Sequence, residues 1–194
     1  DYAESGIFEI SQARQKGQYS HIRDVLVENL AIIDRAEQMD GGLTGITTGF
    51  SKLDEMTSGM QKSDLIILAA RPAMGKTAFA LSLARNAAVK GKASVMIFSL
   101  EMAKEQLTQR LLSMESKVDL QTLKTGRLER RDWDDLNVAL DILSNSNIHI
   151  DDTAGISIME MKSKCRRLKA EAGLDLVIID YLQLMNPEGK ADSR

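Results

Sequence analysis

Three uninterrupted runs of apolar residues stand out in the later part of the chain. They occupy residues 65–70, 95–98 and 176–179. Strands that are apolar on both faces are typical of the interior of a parallel sheet that helices cover on both sides. The pattern therefore predicts three buried strands, with the shorter segment 148–150 as a fourth candidate.

Helical patterns separate these apolar runs. The predicted helices cover residues 78–90, 104–116, 130–143 and 157–172. The last is the clearest, because Ser157 and Glu160 form a capping box and Gly173 stands where a C-terminal cap belongs. Strands that alternate with helices predict an α/β fold with a mostly parallel sheet flanked by helices.

The first 40 residues have a different pattern. They contain a possible short helix at 1–16 and a firmer one at 20–39, whose apolar residues recur with a period near 3.6. That apolar stripe needs a surface to pack on, either in a core of its own or on a neighbouring subunit. Glycines at 41, 42, 45 and 49 then mark a boundary. We predict a helical linker over 1–40 and the main domain over 41–194.

The composition narrows the function classes. Hydrophobic residues make up 43% and charged residues 27%, as in ordinary soluble globular proteins. The net charge of −3 argues against a domain that coats nucleic acid through bulk positive charge, although a local basic lining is compatible with it. A single cysteine allows no internal disulfide and favours a reducing compartment.

The sequence also bears on membranes and on the extent of the chain. No run approaches the roughly 18 to 20 apolar residues that a membrane-spanning helix needs, so we expect no membrane partner. The chain begins with Asp1 rather than Met, and no signal-peptide layout follows. We therefore expect it to be a piece of a longer protein.

A phosphate-binding loop is the strongest chemical signal. Residues 70–77 match the pattern G-x-x-x-x-G-K-[ST] except at the first position, where Ala70 replaces Gly. In such a loop, backbone N–H groups and the helix N-terminus surround the β-phosphate. Lys76 would supply a cation to the phosphates, and the Thr77 hydroxyl would ligate Mg²⁺. The residues expected to contact the nucleotide are Ala70, Arg71, Pro72, Ala73, Met74, Gly75, Lys76, Thr77 and Ala78.

The position of the motif between a predicted strand and a predicted helix supports this interpretation over a chance Gly-Lys-Thr triplet, and so does an acidic residue downstream. Asp180 ends the third apolar run, which is the Walker B pattern of an acid that reaches the metal shell at the same sheet edge. Glu101 follows the second run and could polarise the attacking water. It could equally be a glutamate at a helix N-terminus, where the helix dipole favours negative charge.

Five segments, in the same order, resemble successive motifs of the DnaB-type bacterial replicative helicases. They are residues 44–50, 53–54, 70–77, 99–102 and 179–184. Ala70 also fits, because this family commonly has alanine where other phosphate-binding loops have glycine. The leading helices resemble the linker that joins the family's N-terminal domain to its RecA-like motor.

The resemblance implies a RecA-like P-loop NTPase core that uses ATP and Mg²⁺. It also implies a homohexameric ring that hydrolyses ATP at subunit interfaces, moves along single-stranded DNA and unwinds duplex at the replication fork in the bacterial cytoplasm. Primase and a helicase loader are the implied partners, and the helix around residues 1–16 would pack on an adjacent protomer.

The resemblance also implies roles for particular residues. Glu101 would activate water. Arg110 looks like the family's basic residue that reaches back toward the nucleotide, with simple solvent exposure as the alternative. Gln183 is similar to a residue that couples the nucleotide state to the DNA side.

One departure from the family pattern leaves other hypotheses open. The chain stops at Arg194, whereas the family's further strands, arginine finger and DNA-contacting loops come later. We therefore expect an incomplete core that is poorly active by itself. One alternative is another RecA-like ATPase, such as a recombinase or a clock-type hexamer. Another is an assembly module that binds nucleotide without turnover.

Several other residues are expected to be structural. Trp133 shares a stripe with Leu136 and Leu140, so we expect core packing rather than base stacking. Cys165 lies on an apolar helix face and is expected to be a small core residue. A basic cluster on the same helix is expected to be a solvated face, with phosphate contact as the alternative; its members are Lys162, Lys164, Arg166, Arg167 and Lys169. His21 and His149 are too isolated for a metal site.

Overall fold

The computed structural model describes residues 21–37 and 43–185, and the predicted helix at 1–16 lies outside them. The chain divides into two compact units, Asp1–Thr44 and Gly45–Arg194. In the first unit, helix α1 (Ile22–Glu37) corresponds to the helix predicted at 20–39. Its apolar side chains are largely exposed, for example Leu26 at 54% and Leu30 at 61%. Within the described residues, α1 therefore does not bury its stripe in a core of its own.

The second unit is built on a three-stranded parallel sheet. Its strands are β1 (Val95–Ser99), β2 (Ile148–Asp151) and β3 (Leu176–Asp180), in the order β2-β1-β3. Every residue of β1 is buried, as expected for a central strand. Ser99 of β1 pairs with Asp180 of β3, so the carboxyl ends of these two strands lie at the same edge.

The first predicted strand, residues 65–70, is not a strand in the structure. The segment pairs with none of the described strands, and its side chains are exposed, with Leu65 at 85% and Ile67 at 75%. A strand needs a partner for its backbone N–H and C=O groups as well as apolar side chains. Apolar composition alone was therefore insufficient for this prediction.

The helices of the second unit flank the sheet. They are α2 (Ser51–Thr57), α3 (Lys76–Val89), α4 (Lys104–Ser116), α5 (Leu120–Thr125), α6 (Arg130–Ser144) and α7 (Ile158–Glu171). The four predicted helices correspond to α3, α4, α6 and α7, and the capping box of α7 is formed as expected. The helices α2 and α5 were not predicted, because 7 and 6 residues are too few to show a helical period.

Two apolar clusters form the core. Helices α3 and α4 cover one face of the sheet, where Leu81, Ile97 and Leu107 are at most 2% exposed. Met161 of α7 joins a second cluster with Phe98 of β1. Cys165 packs against this second cluster, and burial raises the pKa of its thiol.

The prediction that Trp133 packs in the core is wrong, because its side chain is 55% exposed. Helix α6 buries Leu136 and Ala139 instead, and Leu140 is also 47% exposed. The face of α6 that packs in the core is therefore narrower than the apolar stripe in its sequence. On α7, Lys164 forms an ion pair with Asp151 of β2, while the rest of the basic cluster is exposed.

The turn that precedes α2 is tied to two helices. Asp54 of α2 accepts hydrogen bonds from the Thr47 hydroxyl at 2.6 Å, the Thr48 N–H at 2.8 Å and the Thr48 hydroxyl at 2.6 Å. Asn86 of α3 is buried and donates to the Thr48 carbonyl oxygen at 3.0 Å. Gly49 has φ +75°, and a Cβ there would lie 2.3 Å from the Asn86 side chain. Glycine is therefore required at this position by both backbone conformation and space.

The Gly49→Ala variant should lose about 2–4 kcal/mol of unfolding free energy, because left-handed backbone strain adds to displacement of the buried Asn86 amide. Gly173→Ala is the matched control, since Gly173 also has a positive φ of +80° but a Cβ there would meet nothing within 4 Å. Its loss should be confined to about 1–2 kcal/mol. Denaturant midpoints of the two variants provide the measurement, and equal losses would contradict the steric role of Gly49.

Asp54 makes the stability of this turn depend on pH. Burial by itself would raise the pKa of Asp54, but hydrogen bonds from Thr47, Thr48 and Gly49 outweigh it and lower the pKa below 3.8. A carboxyl group with a lowered folded-state pKa stabilises the protein above its unfolded-state pKa. The stabilisation is lost as the pH falls through the folded-state value.

We expect Asp54→Asn to reduce the free energy of unfolding at neutral pH by about 1–3 kcal/mol. The difference from the wild type should stay constant down to about pH 5 and shrink below about pH 4. Urea titrations at a series of pH values measure it, with Glu55→Gln, an exposed neighbour on α2, as the control. A difference that grows on acidification would contradict this account.

Candidate functional site

The phosphate-binding loop forms a tight turn that opens directly into α3. The Met74 N–H donates to the Arg71 carbonyl oxygen at 3.2 Å, and Ala73 adopts a positive φ of 62°. Gly75 is the N-cap of α3 with φ +84°. A Cβ on Gly75 would meet nothing within 4 Å, so this position requires glycine for its backbone conformation rather than for space.

The start of α3 presents the chemistry that an anion needs. The first N–H groups of a helix have no acceptor within the helix, and the helix dipole favours negative charge there. Helix α3 begins at Lys76, directly after the loop. Residues 70–75 are exposed, so a large anion can approach the loop from solvent.

The fold brings Lys76, Thr77 and Asp180 together at the carboxyl edge of the sheet. The Thr77 hydroxyl donates to Asp180 Oδ2 at 2.6 Å, although the two residues are 103 positions apart. Lys76 Nζ lies 2.8 Å from Asp180 Oδ1. Asp180 is 8% exposed, so its charge is compensated within the protein by these two partners.

The donor atoms at this point fit Mg²⁺. The Thr77 hydroxyl and the Asp180 carboxylate are hard oxygen donors, and Mg²⁺ is usually held by one or two carboxylates together with phosphates and water. Within residues 21–37 and 43–185 there is no group of three His, Cys, Asp or Glu side chains that could hold a metal by itself. A site at Asp180 would therefore need the phosphate oxygens of a nucleotide to complete it.

Glu101 lies at the same edge of the sheet. It follows β1 in a bend that is held by the Ser99 hydroxyl, which donates to the Met102 carbonyl oxygen at 2.6 Å. The N–H of the next residue, Leu100, donates to the Asp180 carbonyl oxygen at 2.8 Å. Glu101 is exposed and precedes α4, which begins only at Lys104. Its position in the bend therefore favours a role at the sheet edge over helix capping.

Arg110 and Gln183 occupy different surroundings. Arg110, on α4, lines a cleft of about 170 Å³ together with Ala78 of the first turn of α3. It is half-buried rather than fully exposed. Gln183 is exposed and belongs to a single 3₁₀ turn, Leu182–Leu184, that follows β3.

Sequence reasoning gave no role to Tyr181, which contacts the site directly. Lys76 Nζ lies 4.2 Å from the centroid of the Tyr181 ring, within the range of a cation–π interaction. The signal that could have found it is its place directly after Asp180. The bonds of Asp54 and Asn86 to the turn before α2 were missed as well, because residue spacing does not reveal them.

No helix among the described residues is long and apolar enough to cross a membrane.

The comparisons with known proteins are specific. The family description "DnaB-like helicase C terminal domain" matches residues 45–194. The chain is 49% identical over 191 residues to the replicative DNA helicase DnaB of Geobacillus stearothermophilus. It is 50% identical over 189 residues to the replicative DNA helicase DnaC of Bacillus subtilis (strain 168). These matches cover 98% and 97% of this chain but 42% of each relative, so the chain spans less than half of their length.

Solved structures give the same result. A solved ATPase domain matches with a TM-score of 0.81 and 38% identity, over 91% of this chain and 62% of that one. A DnaB-like replicative helicase, studied with its interactions with primase, matches with a TM-score of 0.77 and 36% identity, over 98% of this chain and 46% of that one. The family model matches well over half of the residues. This chain therefore belongs to the DnaB-like helicase family, in the region of that family's C-terminal domain.

Proposed function

We propose that this chain is the ATP-binding part of a replicative DNA helicase motor, and that it binds Mg²⁺–ATP at the start of α3. The observation that carries the proposal is the convergence of Lys76, Thr77 and Asp180 at one end of the sheet, beside the exposed loop. A cation, a hydroxyl and a carboxylate at a helix N-terminus are the groups that a metal-bound triphosphate requires.

Each residue has a distinct task in this proposal. The loop and the first turn of α3 bind the β-phosphate through backbone N–H groups, and the Lys76 ammonium neutralises the β- and γ-phosphates. Thr77 and Asp180 hold Mg²⁺, which when bound neutralises charge on the phosphate oxygens. Glu101 accepts a proton from the attacking water and orients it. Arg110 supplies positive charge beside Ala78, and Gln183 relays the nucleotide state through the turn after β3.

The activity of the assembled protein is part of the same proposal. We infer a homohexameric ring that hydrolyses ATP at its interfaces, moves along single-stranded DNA and works with primase and a loader at the bacterial replication fork. The names of the relatives support the helicase activity, and the primase interaction of the second solved helicase supports a primase partner. The family assignment favours a helicase over a recombinase or a clock-type ATPase. We propose residues 1–40 as the linker and 41–194 as the motor.

The exposed apolar stripe of α1 supports an assembly role for the linker. An exposed apolar stripe is costly in water, and a neighbouring protomer would cover it. This assembly role is compatible with ATP hydrolysis in the assembled ring. It is also compatible with a module that binds nucleotide but does not hydrolyse it when alone.

Lys76→Ala should weaken Mg²⁺–ADP binding by about 10- to 100-fold, because it removes a charge-assisted contact to phosphate. Lys90→Ala is the matched control, since Lys90 caps the opposite end of α3 and should change the dissociation constant by less than about twofold. Fluorescent-nucleotide titrations of the full-length protein, with and without Mg²⁺, provide the measurement. Equal affinity of the wild type and Lys76→Ala would refute the site.

Glu101→Gln should reduce ATP turnover at least about 100-fold while nucleotide affinity stays within about twofold, because the amide cannot accept a proton from water. Glu105→Gln, in the first turn of α4, is the control and should keep normal turnover. Phosphate release and nucleotide binding are measured on the same oligomeric preparation. Normal ATP turnover in Glu101→Gln would show that another residue is the general base.

A further inference from the structure

Lys76 is engaged on two sides in the structure. Its ammonium pairs with Asp180 Oδ1 at 2.8 Å and lies 4.2 Å from the centroid of the Tyr181 ring. The lysine side chain is 28% exposed and the aspartate side chain 11% exposed, so the pair is partly shielded from water. Because Asp180 and Tyr181 are adjacent, the end of β3 presents a carboxylate and an aromatic face to the same cation.

This arrangement competes with nucleotide binding. The proposed function needs the ammonium at the phosphates and the Asp180 carboxylate at the metal. In the structure one Asp180 oxygen is paired with Lys76 and the other accepts from the Thr77 hydroxyl at 2.6 Å. Lys76 must therefore leave Asp180 before either residue can perform its role. A group that stabilises the Lys76–Asp180 pair by a given factor therefore weakens nucleotide binding by that factor.

We propose that Tyr181 is a positioning residue that holds Lys76 at Asp180 in the nucleotide-free state, an inference that rests on the proposed function. The aromatic face attracts the ammonium through its negative quadrupole, and the attraction is strongest where water is partly excluded. Binding of the nucleotide moves Lys76 from this pair of contacts to the phosphates and frees the carboxylate. Tyr181 thus lowers the affinity of the site for nucleotide, because the nucleotide must displace the lysine from these contacts.

Tyr181 also connects this movement to the segment that follows β3. The Leu184 N–H donates to the Tyr181 carbonyl oxygen at 3.2 Å and closes the turn that contains Gln183. The ring that releases Lys76 and the backbone that begins this turn therefore belong to one residue.

The sign of the expected effect separates this role from a merely structural one. Removing the aromatic face should tighten Mg²⁺–ADP binding by about two- to fivefold, since the free state loses the cation–π attraction. Loss of a group that only supports the shape of the site would loosen binding instead. Tyr181→Phe keeps an aromatic face and should bind like the wild type. Tyr181→Leu and Tyr181→Met lack the face and should both bind more tightly.

The experiment measures Mg²⁺–ADP dissociation constants by calorimetry on the full-length protein, with the melting temperature of each variant as a check on folding. The Met variant provides the non-aromatic measurement should the Leu variant not fold. The same Tyr181→Leu change is then made in Lys76→Ala, where the titration is run at higher nucleotide concentration. There it should have no effect, because the cation it attracts is absent.

Tighter binding in the non-aromatic variants, wild-type binding in Tyr181→Phe and no effect in Lys76→Ala would support the proposal. Unchanged or weaker binding in the non-aromatic variants would overturn it, as would the same gain in Lys76→Ala. Failure of the wild type to bind Mg²⁺–ADP is a different result, because it would refute the proposed function itself.

Discussion

The contact between Thr77 and Asp180 is the constraint on which the site depends, because it joins the start of α3 to the end of β3 across 103 residues. It can form because β3 pairs in parallel with β1, with Ser99 opposite Asp180. A shift by one residue would turn Asp180 to the other face of the sheet. The register of these two strands therefore fixes the position of Asp180 at the edge of the sheet, and the packing of α3 on β1 and β3 brings Thr77 to it.

The same edge holds charges that balance one another in the free protein. Asp180 is almost buried, and such a carboxylate needs compensating partners. Lys76 and the Thr77 hydroxyl provide them, and both are also the groups that a metal-bound nucleotide would use. In the proposed function the same side chains would hold the nucleotide, so we expect the groups around Lys76 to affect its affinity.

The stripe of α1 and the segment 65–68 are among the apolar surfaces that remain exposed in the described residues. They differ in kind. The α1 stripe offers side chains from a helix whose backbone is already hydrogen-bonded, so it needs only a packing partner. The segment 65–68 offers unpaired backbone as well as apolar side chains, so it needs a strand or an equivalent set of hydrogen bonds.

The sequence by itself determined the α/β class, five helices and three strands, and it indicated Lys76, Thr77 and Asp180 as candidate site residues. These follow from short-range rules, namely apolar periodicity, capping residues and a loop pattern whose chemistry is local. The tertiary structure alone decided that residues 65–70 have no strand partner, that Trp133 faces solvent and that Tyr181 contacts Lys76. Each of these depends on which distant element lies alongside, and residue type and spacing do not carry that information.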